Sequence, residues 1–111
     1  MSRFAATPQP PYYAVIFTSQ LGPETGDYEA TAQRMVELAE NMPGYLGIES
    51  ARDADGVGIT VSYWATEADI AHWRRHLEHQ AAQHSGKTRW YEHYELRVAK
   101  VERAYSGPAG R

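Results

Sequence analysis

Hydrophobic positions along this chain change period four times, and each change marks the start of a new kind of element. Tyr12–Ser19 is a run of β-branched and aromatic residues and predicts a strand. Leu21–Gly26 holds two glycines and a proline and predicts a loop. Asp27 is placed to cap a following helix by accepting from its first N–H groups. Tyr28, Ala32, Met35, Ala39 and Met42 then recur at three- and four-residue intervals, the stripe of a helix packed on one side. Pro43-Gly44 ends it. Tyr45–Arg52 and Val57–Trp64 predict two strands. The Asp53–Gly56 turn between them is short enough to make them antiparallel. Thr66 caps a second helix, and Glu67 and Asp69 suit the positive end of its dipole. This helix runs to about His84, with Gly86 as its stop. Trp90–Tyr105 predicts one long final strand. The order βαββαβ is that of an α+β, ferredoxin-like fold, a four-stranded antiparallel sheet with both helices on one face.

Such a fold covers one sheet face and leaves the other to water, so the second face should be polar. Here it is not. Strand one is apolar on both sides, with Tyr12, Ala14 and Ile16 opposing Tyr13, Val15 and Phe17. In strand three Val57, Ile59, Val61 and Tyr63 oppose the small, semi-polar set Gly58, Thr60 and Ser62, which ends in Trp64. In strand four Trp90, Tyr94, Leu96 and Val98 oppose Tyr91, His93, Ala99 and Val101. An apolar face of this size predicts a homodimer with the two sheets packed together, closing a dimeric α+β barrel.

At 111 residues the chain predicts one domain, residues 12–105, between a flexible N-terminal arm, 1–11, and a flexible tail, 106–111. A domain this size buries roughly 65% of its unfolded surface without staples. It has no cysteine, so disulfides, thiolate metal sites and cysteine nucleophiles are excluded. A net charge of -3 with both signs scattered argues against nucleic acid. No apolar run approaches a membrane span, and the proline-rich start lacks the apolar core of a signal peptide. A cytoplasmic protein is the expectation.

Candidate chemistry gathers at the junction of the third strand and second helix. On a helical wheel Ile70, Trp73, Leu77, Ala81 and His84 cluster within about 80°, the core stripe. His72, His76 and His79 fall near about 200°, 240° and 180°, on a different face. Their spacing brings imidazoles together, but no Glu follows the first His as in HExxH sites, and Arg74 and Arg75 stand beside them. No metal is expected, and His72 and His76 read as solvated helix residues. His79 and His84 stay open between packing and proton handling in a cleft near neutral pH. Trp73 is core that can also wall a pocket, and Trp64, at the end of its strand, is placed to border one. No Ser-His-Asp set, P-loop, GxGxxG or paired-carboxylate pattern occurs.

The first strand, Pro43–Ser50, Gly58–Trp64, Trp73 with Glu78-His79, and Trp90-Tyr91 with Tyr94 and Arg97–Arg103 stand together in an order and spacing that resembles the antibiotic biosynthesis monooxygenase (ABM) superfamily. The resemblance covers about residues 12–105. It implies a dimeric barrel with a pocket between helices and sheet in each subunit. It also implies oxidation of a small aromatic phenol or quinol by O2 with no metal, flavin or nicotinamide cofactor. It marks Trp73 and His79 as catalytic candidates and His84 as a candidate for ligand binding, to which the strand position adds Trp64. Two alternatives accompany it: a non-catalytic ligand-binding or stress-related member, and a haem-degrading one. The haem branch carries an Asn on the first strand, and this strand has none, although His84 follows Trp73 at a similar distance.

Overall fold

The computed structural model describes residues 3–23, 25, 26, 28–83 and 90–108, with 79–83 described in backbone only. The elements are β1 (Tyr12–Leu21), α1 (Tyr28–Glu40), β2 (Tyr45–Arg52), β3 (Val57–Trp64), α2 (Glu67–Gln83) and β4 (Tyr91–Val101). They form one antiparallel sheet in the order β2-β3-β1-β4, the ferredoxin-like arrangement expected. The Asp27 cap, the Gly86 stop and His84 fall outside the described residues. Among the described residues no helix is long and apolar enough to cross a membrane.

Local chemistry accounts for the boundaries. Asp53 Oδ1 accepts from the backbone N–H of Asp55 and Val57, both at 2.9 Å, and so folds the β2–β3 turn. Gly56 closes that turn at φ +89°. At α2, Thr66 Oγ1 accepts from the Asp69 N–H at 3.1 Å and donates to Asp69 Oδ2 at 2.8 Å, a side-chain cap on the first turn. The same Asp69 carboxylate fills the space where a Cβ on Gly44 would lie, and Gly44 adopts φ +81°. Strand four is shorter than expected. Its last residue, Val101, pairs with Tyr12, where β1 begins, and beyond it no neighbouring strand remains to bond.

The two sheet faces divide unexpectedly. The helices cover the side carrying Val15, Phe17, Ile48, Ser50, Thr60 and Ser62. The more apolar set of β3 points the other way, where Val57 and Ile59 are 41% and 49% exposed. The N-terminal segment lies along part of this helix-free face. Ala5 N–H donates to Glu49 Oε2 at 2.9 Å, and Thr7 Oγ1 meets the Tyr12 hydroxyl at 2.9 Å. Glu49 also accepts from the Tyr63 hydroxyl, Oε1 at 2.7 Å, so one carboxylate joins arm and sheet.

Tyr63 reports on that contact. Burial first, and then the hydrogen bond to Glu49 and its negative charge, push the Tyr63 hydroxyl up to about 12. The folded state therefore holds this proton more tightly than the unfolded chain, whose tyrosines lose theirs near pH 10. The resulting stabilisation is complete below about pH 10 and is lost as pH rises through about 12. Unfolding free energy measured by urea titration should fall across this window, and Tyr63→Phe should flatten the fall.

Candidate active site: an aromatic-walled cavity between helices and sheet

Small residues on β3 make the site possible. Gly58, Thr60 and Ser62 face the helices where larger side chains would fill the interlayer space. What remains is a cavity of about 320 Å³, floored by β1, β2 and β3 and roofed by Ala32, Met35 and Val36 of α1 with Trp73 and Leu77 of α2. The volume falls at the lower end for small-molecule sites. Its few hydroxyls are already partly paired. Ser50 Oγ and Thr60 Oγ1 lie 3.0 Å apart, and Ser62 Oγ accepts from Trp64 Nε1 at 2.9 Å. The lining is thus chiefly apolar with neutral donors and acceptors.

A stack of three rings closes one end. Trp64 has 0% exposure and meets Tyr45 edge-on, with centroids 5.7 Å apart. Trp73 stacks on Trp64 at 5.9 Å, and His76 stacks on Trp73 at 5.6 Å. Trp73 is therefore the wall and Trp64 the buried support behind it. His76 departs from its expected place in solvent. It lies three residues after Trp73 on the same helix, so its ring is drawn onto the indole and it is only half exposed. Its Nε2 is buried without a hydrogen-bond partner among the described residues. His72 is exposed. His79 belongs to α2, one turn beyond His76, but its side chain lies outside the described residues, as does all of His84. Among the described residues, no three His, Cys, Asp or Glu side chains converge.

The other end was not foreseen. Leu21 pairs with Tyr91 while Gln20 pairs with His93, so Glu92 is bulged out of the β1–β4 ladder. The bulge returns Tyr91 to the cavity side, beside Tyr94 and Leu96, rather than to the opposite face that strict alternation predicts. Tyr91 packs edge-on against Phe17 at 5.2 Å and Tyr28 at 5.8 Å, and Trp90 meets Tyr28 at 5.7 Å. Burial first, then the hydrogen bond to Tyr28 and its proximity, raise the Tyr91 hydroxyl far above its ordinary value, with Arg52 opposing. Tyr91 is thus a neutral donor throughout the physiological range. No spacing rule singles out Tyr28, Arg52 and Tyr91. Their one signal in the sequence is the excess of Tyr over Phe, eight against two.

A ferredoxin-like sheet with helices on one face, enclosing an aromatic-walled cavity, defines a small α+β protein built around a ligand-sized space. The chain belongs to the antibiotic biosynthesis monooxygenase family, whose profile matches residues 12–85. It is 56% identical over 103 residues to the uncharacterised protein YqjZ of Bacillus subtilis (strain 168), covering 93% of this chain and 90% of that one. It is 33% identical over 95 residues to a jasmonate monooxygenase of Pyricularia oryzae, covering 80% of this chain and 43% of that protein. Among solved structures, a variant of SnoaB, a cofactor-independent oxygenase from Streptomyces nogalater, superimposes with a TM-score of 0.67 at 11% identity, covering 84% of this chain and 95% of that one. A variant of MhuD with two manganese protoporphyrin IX molecules bound per active site gives 0.66 at 18% identity, covering 86% and 99%. These two likenesses establish the shared fold.

Trp73→Ala should remove the wall while leaving its support. A loss of roughly 3 kcal/mol in unfolding free energy is expected. Tryptophan emission should shift to the red as Trp64 loses its stacked neighbour.

Proposed function

We propose that the protein is a cytoplasmic homodimer that oxidises a small aromatic phenol or quinol with O2 inside this cavity, without a metal, flavin or nicotinamide. The observation that carries the reading is the cavity itself: a space bounded by Trp73, Phe17, Tyr28 and Tyr91, with hydroxyls but, among the described residues, no carboxylate in its lining. Membership of a family named for monooxygenation, and a relative named as a monooxygenase, support oxygen chemistry in it.

The reaction balances without a resident cofactor. A quinol that becomes a hydroxyquinone gives up four electrons. O2 accepts all four, placing one oxygen atom in the product and releasing the other as water. Removing the phenolic proton raises the electron density of the ring, which then passes its first electron to O2. The protein has to bind the ring, take that proton and exclude water. In this reading Trp73 stacks on the substrate, and His79, six residues further along α2, accepts the proton. Trp64 holds Trp73 in place, and His84 contacts the ligand. The volume of about 320 Å³ suits one or two fused rings better than a haem macrocycle.

The apolar positions left uncovered support the dimer. Val57 and Ile59 are open on the helix-free face, and Tyr94, Leu96 and Val98 of the edge strand are 57%, 55% and 47% exposed.

Anaerobic loading with a naphthoquinol panel followed by aeration should consume one O2 per hydroxyquinone formed. His79→Ala should slow turnover by about a hundredfold or more, and Trp73→Phe should slow it less. Unchanged turnover in both variants would remove these residues from the mechanism. Binding of the panel with no O2 uptake would leave a ligand-binding, stress-related module as the function. Sedimentation at micromolar concentration should give twice the 12.5 kDa chain mass, and a single-chain species would exclude the dimer.

A further inference from the structure

The cavity end opposite Trp73 carries a charge that no carboxylate among the described residues neutralises. Arg52, the last residue of β2, sends its guanidinium across Gly58 on the helix-covered side of the sheet. A Cβ on Gly58 would occupy the place of the guanidinium, so the glycine is its seat. Nη1 donates to the carbonyls of Gly56 at 2.5 Å and Ser19 at 3.5 Å. Nη2 donates to Ser19 Oγ at 2.9 Å and to the Tyr28 hydroxyl at 3.1 Å. The guanidinium carbon also lies 5.5 Å from the centre of the Tyr28 ring. All of these partners are neutral. Among the described residues Arg52 has no carboxylate within ion-pair distance.

Tyr28 is the link between this cation and the cavity. Its oxygen accepts from Arg52 and, loosely at 3.4 Å, from the Tyr91 hydroxyl. Its own proton has no acceptor among the described residues, and both tyrosines line the cavity. A hydroxyl whose oxygen already accepts from a cation is polarised into a stronger donor. Apolar surroundings strengthen what it then donates to. The Tyr28 donor, with Tyr91 beside it and the charge behind it, borders a space whose other walls are chiefly apolar.

We propose that Tyr28 and Tyr91 form a subsite for an anionic oxygen, a phenolate or carboxylate, on the planar ligand that fills the cavity. Arg52 is its positioning residue and acts through Tyr28. The subsite gives the site a polarity. The ring system lies toward Trp73 and the anionic oxygen toward Arg52, which fixes which ligand carbon sits beside α2. A phenolate held here would be stabilised as it forms, so its deprotonation would need only a weak base. This rests on the reading of the cavity as an aromatic-ligand site and does not depend on whether O2 is consumed.

Binding distinguishes the two. Quenching of tryptophan fluorescence by 2-naphthoate and by the isosteric neutral 2-naphthamide should show the anion bound about tenfold tighter or more, the scale of a hydrogen bond to a charged group. Tyr28→Phe keeps the ring and the cavity wall and should erase most of that preference, weakening the acid far more than the amide. Arg52→Lys should retain part of it and Arg52→Met none. A nitronaphthol titrated through its own ionisation should bind more tightly as the phenolate forms, and this rise should vanish in Tyr28→Phe. Equal affinity for acid and amide with no rise on phenol ionisation, or a preference that survives Tyr28→Phe, would overturn the subsite. Failure of both naphthalenes to bind would reject the aromatic-site reading and the subsite together. Tight, anion-selective binding with no O2 uptake would reject the oxygenase and keep the subsite.

Discussion

The Trp64–Trp73 stack determines how far α2 stands from the sheet. Trp64 is fully enclosed, tied by its indole N–H to Ser62 and braced edge-on by Tyr45, so it has one position. Trp73 rests on it, ring centroids 5.9 Å apart, and holds the helix off the sheet. Protein interiors normally close such gaps to the density of organic crystals. Here the side chains that would close it are missing, because β3 presents glycine, threonine and serine beneath the helices. A rigid spacer at one end and small residues along the floor together leave a half-open space between helices and sheet.

The same arrangement explains why the cavity is polarised along its length. Tyr13, paired with Trp64, and Ser19, paired with Gly58, are six residues apart on β1, about 20 Å along the strand. At one end lie stacked indoles and an imidazole, surfaces suited to a flat ring. At the other lie phenols backed by a guanidinium. Between them the hydroxyls of Ser50 and Thr60 satisfy each other and demand little of a ligand. For the ligand proposed above, soft aromatic contacts at one end and a directional donor at the other would select orientation as well as shape.

Much of this was legible in the sequence. The bounds of β2 and β3, the Thr66 cap and the ferredoxin-like order all follow from local rules of turn chemistry and period. Those rules act within a few residues and are rarely overridden here. The family resemblance likewise led to the family the chain belongs to. Trp73 emerged because helical geometry alone places it on the buried stripe. The Tyr28–Arg52–Tyr91 cluster did not emerge, since its members come from three elements far apart in sequence and meet only through sheet register. The half-burial of His76 is invisible to the sequence for a related reason. A helical wheel ranks positions by angle and cannot see an indole one turn away drawing an imidazole out of water. The side chains of His79 and His84 stay outside what the structure describes, so their roles rest on sequence and family.

The bulge at Glu92 has an effect beyond one tyrosine. It acts as a shift of reading frame at the mouth of the last strand. Every pair from His93 to Val101 keeps its partner on β1, while the residues before the shift are dealt to faces independently of those after it. The chemistry of the cavity's far wall is therefore uncoupled from the pairing that holds the edge strand. A relative could gain or lose one residue there and exchange a phenol for an indole at the wall without disturbing the sheet. In such a fold, ligand preference can diverge through a change in length as readily as through a substitution.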